Sequence, residues 1–348
     1  MKVLIKSAVL EKIKKPLKIK TLNYKPLTRG QVLVKVYYSG VCGSQVMEIN
    51  GNRGKDKWLP HCLGHEASGE VIEIGKDVRK VKKGDRVILT WIKCNGIEAD
   101  NAVYNINSTR INSGKITTFS NYTIVSENRI VKKPNDINMK EAVLFGCAIP
   151  TGFGMVINEV KPKKNMNILV IGLGGVGISV LMALKSIGHR NVIVTDISEK
   201  KLKFAKEIGF INCINSRKTN IKQSILEKNK KGVDICIETA GKTQTIELGF
   251  SLIKDNGGKL YFASHPENGH FIKIKPHDLI RGKNIYGSWG GKTLPDRDIP
   301  KISRMLKKTN INLEKLLNKT YSLNKINLAI KDLKNGNVTR PLIRMDHK

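Results

Sequence analysis

The sequence is poor in aromatic residues, at 5%, and poor in acid, with 29 Asp and Glu against 62 Lys and Arg. Scarce aromatics, with no basic run interleaved among them, argue against a surface built to stack nucleic-acid bases, and no nucleic-acid partner is expected. The net charge of +33 fits attraction to an anionic partner or substrate. Its lysines are nevertheless spread along the whole chain among asparagines and isoleucines, which reads as compositional bias and not as a patch. No window approaches the roughly 18 consecutive apolar residues of a membrane-spanning helix, so no membrane partner is expected either. Six cysteines (Cys42, Cys62, Cys94, Cys147, Cys213 and Cys236) form no close CxxC pair, and the first twenty residues lack the apolar core of a signal peptide. A cytoplasmic protein with reduced thiols is the expectation.

The 348 residues are enough for two domains of ordinary size. Up to about residue 130 the pattern is of short strands between turns: VLVKVYYSG at 32–40, GEVIEIG at 69–75 and RVILTWI at 86–92. Such density predicts a barrel-like β domain. Near residue 150 the texture changes to apolar strands alternating with helical stretches, the strands being MNILVIG, NVIVTD, VDICIET and GKLYFAS. That alternation predicts a parallel sheet of α/β type. After GSWGG at 287–291 a helix beginning at Pro300 and mixed short elements are expected to return to the first domain.

Gly172-Leu173-Gly174-Gly175-Val176-Gly177 fits GxGxxG, follows the strand NILVI at once, opens a helix and precedes a strand ending in Asp196. In that context the pattern is a dinucleotide-binding turn. Gly172 permits the tight turn, Gly174 lets the backbone approach a pyrophosphate, and Gly177 allows helix and strand to pack closely. The helix start offers N–H groups and a positive dipole end to the phosphates. Asp196 would accept from the adenosine ribose hydroxyls and repel an extra phosphate, favouring NAD over NADP.

LFGCAIPTGFG, at 144–154, carries Cys147 in an apolar, glycine-rich run. A buried core thiol is the plain explanation. SGVCGSQ, with Cys42, and LGHEASGEV, with His65 and Glu66, supply possible partners, since two thiolates and one imidazole with an open fourth position make a catalytic zinc site. Residue types alone leave both explanations open.

The motifs VCGSQ, LGHEASGEV, KKGDRV, GCAIPTG, GLGGVG, TDIS and TRPLI together resemble the zinc-dependent alcohol dehydrogenases of the medium-chain dehydrogenase/reductase family. The resemblance covers nearly the whole chain. It implies a GroES-like β-barrel catalytic domain at 1–152, a Rossmann-fold NAD-binding domain at 153–288 and a C-terminal segment at 289–348 completing the first, with the active site in the cleft between. It further implies that Cys42, His65 and Cys147 ligate zinc, with Glu66 behind the metal and able to exchange onto it. Ser44 matches a hydroxyl that relays the substrate proton, and Trp91 an aromatic position of the substrate pocket. Thr151 and Val176 match contacts to the nicotinamide, Lys201 a contact near the ribose and Arg340 one to the pyrophosphate. A homodimer or homotetramer, paired through sheet edges, also follows from the resemblance.

Three departures stand out. Gln45 occupies the place of an aspartate that holds the zinc-bound imidazole, and its carbonyl is expected to accept that hydrogen bond without the charge. Met47 stands near a histidine that ends the proton relay. Residues 94–119 hold only Cys94, where many members hold four cysteines around a second, structural zinc, so one zinc per chain is expected. Cys62, Cys213 and Cys236 read as structural thiols. The resulting expectation is hydride transfer between NAD and a primary or secondary alcohol. A polyol or sugar substrate, phosphorylated or nucleotide-linked, is the alternative, and a non-catalytic NAD-binding protein is the rival from another class.

Overall fold

The computed structural model describes residues 3–317 and 319–347, in two compact units. One comprises Met1–Cys147, Leu294–Ser303 and Asn312–Lys348; the other comprises Ala148–Thr293 and Arg304–Ile311.

The first unit is built mainly on β-strands. Its strands are β1 (Ile5–Leu10), β2 (Lys18–Tyr24), β3 (Gln31–Gly40), β4 (His61–Cys62), β5 (Glu66–Ile74), β6 (Arg86–Thr90), β7 (Val103–Ile106), β8 (Thr109–Asn112), β9 (Tyr122–Ser126) and β10 (Ile130–Lys132). Strands β1, β2, β7, β8 and β4 close into a barrel. A second sheet runs β10, β6, β5, β3, then the C-terminal strands Leu342–Arg344 and Thr320–Ser322, with β9 also on β3. Its interior holds Val32, Val34, Val36, Ala67, Val71, Val87 and Leu89, the inward set of alternating strands. The antiparallel register places Ser39 opposite Ala67 and Glu66 opposite Thr90. The end of β3, the start of β5 and the end of β6 therefore lie side by side.

Among the helices of this unit, α1 (Gly43–Ile49) follows β3, α2 (Met139–Ala142) leads through the short turn Val143–Gly146 to Cys147, and another helix spans Ile326–Lys334. In the second unit α3 (Ala148–Gly154) precedes β11 (Ile168–Ile171), α4 (Gly175–Ser186), β12 (Val192–Asp196), β13 (Cys213–Asn215), β14 (Ile235–Glu238), β15 (Lys259–Phe262) and β16 (Asn284–Gly287). The six strands form one parallel sheet in the order β13-β12-β11-β14-β15-β16. That is the doubly wound arrangement, reversing direction at β11, where ligands bind beyond the strand ends. The all-apolar ILVI of β11 is buried along its length, as a central parallel strand must be.

The late helix starts earlier than the sequence reading placed it, running Pro295–Lys307 with Pro300 inside. The carboxylate of Asp298 accepts the N–H of Leu294 at 2.9 Å, satisfying the helix start at a point that Pro300, an apparent first-turn residue, had obscured. Among the described residues no single helix is long and apolar enough to cross a membrane.

The segment that begins with Cys94 is tied down by Glu127. One carboxylate oxygen accepts the N–H groups of Arg79 and Lys80, each at 2.8 Å, and the other accepts that of Ile97 at 2.7 Å. Burial works against the charge of Glu127, but the three N–H bonds outweigh it and hold its carboxyl below the usual carboxylate range. This stability is present above the pKa of an unfolded glutamate and is lost as pH falls through the lower folded value. Glu127→Ala is expected to cost about 2–3 kcal/mol, because buried N–H groups lose their acceptor. Glu127→Gln should flatten the acid limb of a denaturation series, and an unchanged acid limb would contradict the assignment.

Candidate functional site

Three chain segments converge at the edge where β3 and β6 end and β5 begins. Cys42 caps the start of α1 just after β3, His65 immediately precedes β5, and Cys147 follows the turn that ends at Gly146. Two glycines make this approach possible. Gly64 adopts φ +94°, which delivers His65, and a side chain there would strike Phe119 and Thr118. A Cβ on Gly146 would lie 2.5 Å from the carbonyl oxygen of Leu89 and 2.7 Å from Cβ of Glu66, so only glycine brings Cys147 in beside β5.

The outcome is a cluster in which the sulfurs of Cys42 and Cys147 and a ring nitrogen of His65 lie within 4.8 Å of one another. His65 Nε2 is buried and has no hydrogen-bond partner. A buried imidazole nitrogen without a partner, facing two sulfurs, fits a metal ion: two soft donors and one borderline donor are a zinc set with room for a fourth ligand. The thiol of Cys147 donates to Cys42, whose pKa is held well below its ordinary value by that bond, against burial, with His65 and Arg340 adding to the pull. The same contact, together with burial, pushes Cys147 well above.

Glu66 lies behind the cluster, fully buried, and both its oxygens accept from Nη2 of Arg340, at 2.6 and 2.7 Å. Burial raises the carboxyl of Glu66, and Arg340 opposes the rise. Burial likewise works against the charge of Arg340, but Glu66 and the two cysteine sulfurs outweigh it and hold the guanidinium firmly protonated. This pairing spans 274 residues and has no signal in the sequence, which offered for Arg340 only a phosphate contact.

Ser44 and Gln45 reach His65 from the first turn of α1. Ser44 Oγ is 3.4 Å from His65 Nδ1. The amide of Gln45 is placed the other way round from the sequence expectation: its Oε1 accepts the N–H of Cys42 at 3.0 Å, and its Nε2 lies 2.5 Å from His65 Nδ1. The Trp91 ring stands edge-on to that of His65, centroids 6.5 Å apart.

Within the second unit the glycine turn has the geometry its sequence predicts. Gly172 has φ +88°, a Cβ on Gly177 would fall 2.0 Å from Gly172 O, and a Cβ on Gly174 would meet nothing within 4 Å. Crowding at the first and last glycines and open space at the middle one form a cradle for a phosphate, ahead of the first helical bond, from Ile178 N–H to Gly174 O. Gly175 and Val176 form the first turn of α4, and Thr151 lies on α3, whose Gly152 packs against Val176 O. Asp196 ends β12, where its carboxylate accepts the N–H groups of Leu173 at 2.6 Å and Ser198 at 2.8 Å, with Lys201 Nζ at 3.8 Å. Besides any ribose it meets, Asp196 braces the turn itself, a role the sequence pattern did not show.

Of the remaining cysteines, Cys62 is buried in the barrel, its thiol pushed up to about 12 by burial, and Cys236 is wholly buried under Gly249. Cys94, also buried, donates to Ile92 O.

Comparison with known proteins follows the same division. Residues 28–135 match the alcohol dehydrogenase GroES-like domain, and residues 175–308 match the zinc-binding dehydrogenase family. The alcohol dehydrogenase class-2 isozyme 2 of Oryctolagus cuniculus is 31% identical, with 97% of each sequence covered. An S-(hydroxymethyl)glutathione dehydrogenase of Escherichia coli is 29% identical over 95% of this chain and 96% of the other. The crystal structure of a benzyl alcohol dehydrogenase from Acinetobacter calcoaceticus superposes with a TM-score of 0.87 at 27% identity, covering 99% of this chain and 100% of that one. With both domains matched and a relative above three-tenths identity over almost its full length, this chain belongs to the zinc-containing alcohol dehydrogenases of the medium-chain dehydrogenase/reductase family.

Proposed function

We propose that the chain is a zinc- and NAD-dependent dehydrogenase that interconverts a primary or secondary alcohol and its aldehyde or ketone. The observation that carries this reading is the buried, partnerless Nε2 of His65 facing the sulfurs of Cys42 and Cys147. These three residues would hold the zinc, which when bound supplies a Lewis acid that lowers the pKa of a substrate hydroxyl. Ser44 then accepts the hydroxyl proton and passes on its own. Met47 offers no group to continue the path, which leaves the onward step to water or another residue. Arg340 keeps a positive charge beside the sulfurs, balanced by Glu66, and Trp91 forms an apolar wall beside His65.

The cofactor reading rests on the cradle at Gly174, with Gly172, Gly175 and Gly177 shaping it. NAD, the hydride carrier, is favoured over NADP by Asp196, with Thr151, Val176 and Lys201 completing its contacts. Gly174→Ala is expected to raise the KM for NAD about tenfold or more at unchanged Tm, since its methyl enters only the phosphate's space. Gly177→Ala should lower stability by about 1–3 kcal/mol through overpacking. Wild-type NAD binding by the Gly174 variant would contradict the cradle.

One zinc per chain is proposed, because Glu127 already organises the segment containing Cys94. A dimer is proposed through the edge strand β16, which Ile280 and Trp289, both exposed, flank in sequence. The six cysteines, present as thiols, fit a reducing, cytoplasmic setting.

The test is NADH formation by zinc-loaded protein against simple alcohols, polyols, amino-acid alcohols, sugar phosphates and nucleotide sugars, at low and high salt. Salt-insensitive oxidation of neutral alcohols is expected. Activity confined to anionic sugars, and falling steeply with salt, would support the sugar alternative and give the +33 charge a role in capture. No turnover on any class would favour a non-catalytic NAD-binding protein.

A further inference from the structure

We propose that Gln45 sets how tightly this site holds its metal, by making the Nδ1–H of His65 donate its hydrogen bond to Ser44. The inference rests on the reading that Cys42, His65 and Cys147 hold zinc.

Gln45 is buried between two of those residues, 3% exposed, with Oε1 on the Cys42 N–H and Nε2 against His65 Nδ1. A primary amide has one oxygen that accepts and one nitrogen that only donates. Without metal the Nδ1 side of the ring is matched, while Nε2 has no hydrogen-bond partner. Gln45 Nε2 donates to Nδ1, and the imidazole proton sits on Nε2, facing the sulfurs.

A His65 that gives its Nε2 lone pair to a metal carries its proton on Nδ1, and that proton needs an acceptor. In the orientation present, the amide NH2 then meets a second donor. Turning the amide over brings Oε1 to Nδ1, but it sets the NH2 against the Cys42 N–H and moves the mismatch by one residue. Either way round, the amide leaves a buried donor unmatched, and this costs free energy. A carboxylate at position 45 would accept from both.

The nearest other acceptor is Ser44 Oγ, 3.4 Å from Nδ1. With the Nδ1–H donating to Ser44 Oγ, Gln45 keeps its bond to Cys42, and the serine O–H is left to point away from the ring. Gln45 thus acts as a positioning residue. It weakens the metal-loaded state relative to the metal-free one and couples the ring of His65 to the hydroxyl proposed to move the substrate proton.

The test measures zinc affinity of the full chain by competition with a chromophoric chelator, for wild type, Gln45→Asp, Ser44→Ala and the double variant. Gln45→Asp should bind zinc roughly 10–100-fold more tightly, the range associated with partners of metal-bound imidazoles. Ser44→Ala should weaken binding about tenfold in the wild-type background and hardly at all in the Gln45→Asp background, a non-additivity expected of two groups sharing one proton. In the zinc-loaded wild type, the Nδ1–H resonance of His65 should shift on Ser44→Ala, a readout that needs no change at position 45. Equal Ser44 penalties in both backgrounds, zinc binding by Gln45→Asp no tighter than wild type, or an unmoved resonance would overturn the proposal. A wild-type chain that takes up no zinc overturns the underlying reading and this inference with it, whereas zinc uptake without coupling overturns the inference alone.

Discussion

Cys147→Ala is expected to lose its zinc and about a thousandfold or more of its alcohol-oxidising rate while remaining folded. The side chain is small and buried, so its removal opens only a minor cavity in the packing. The chemical loss is far larger. Two donors, Cys42 and His65, do not make the three-residue set of an open zinc site, and without the Lewis acid the substrate hydroxyl keeps an ordinary pKa. Several kcal/mol of lost stabilisation corresponds to roughly three powers of ten in rate. Metal content by atomic absorption, turnover and thermal denaturation on one preparation separate the effects. A variant that is folded, free of zinc and still turning over at a tenth of the wild-type rate would sink the proposed function.

Arg340→Met should be the most damaging single change to stability in the first unit. The guanidinium lies against Glu66 with both groups almost wholly buried, at 7% and 0% side-chain exposure. Deleting the cation leaves a carboxylate with no counter-charge, at a cost of about 3–5 kcal/mol. Replacing both partners, as Glu66→Leu with Arg340→Met, should recover most of that loss, because no unmatched charge remains. The sign of the pH dependence follows from burial, which already raises the Glu66 carboxyl. Without Arg340 its folded pKa rises further above the unfolded value, so the defect is largest at neutral pH and shrinks on acidification, as the carboxyl takes up a proton. Urea denaturation of the three proteins at two pH values reads this directly. A loss below about 1 kcal/mol at pH 7 would show that the pair contributes little net stability.

The two halves of the molecule were unequally legible. The dinucleotide turn was readable because its work is done locally. Gly172 turns the chain at φ +88° and its carbonyl oxygen crowds Gly177 five residues on, so most of the turn is local although Ala240 also presses on Gly172, and the strand before and the helix after announce themselves by apolar runs. The metal cluster was legible in its parts and not in its assembly. Cys42, His65 and Cys147 each have a plain structural explanation in sequence, and only resemblance joined them. Their meeting depends on the register that sets Ser39 against Ala67 and on a glycine at 146 small enough to lie on Leu89 and Glu66.

What the sequence by itself determined is therefore whatever short-range geometry dictates: two textures of hydrophobic periodicity, the phosphate turn with its acidic strand end, and the donor types available for a metal. Tertiary structure alone decided which partners those residues take. Arg340 was drawn to Glu66 across the chain, because a buried carboxylate needs a counter-charge. Glu127 was fixed by three backbone N–H groups, two from one loop and one from another, and Gln45 was turned with its oxygen to Cys42 and its nitrogen to His65. The physical reason is common to all three. Burial raises the cost of an unmatched polar group, and which donors and acceptors converge in a buried space is set by the packing of distant segments, which no local pattern records.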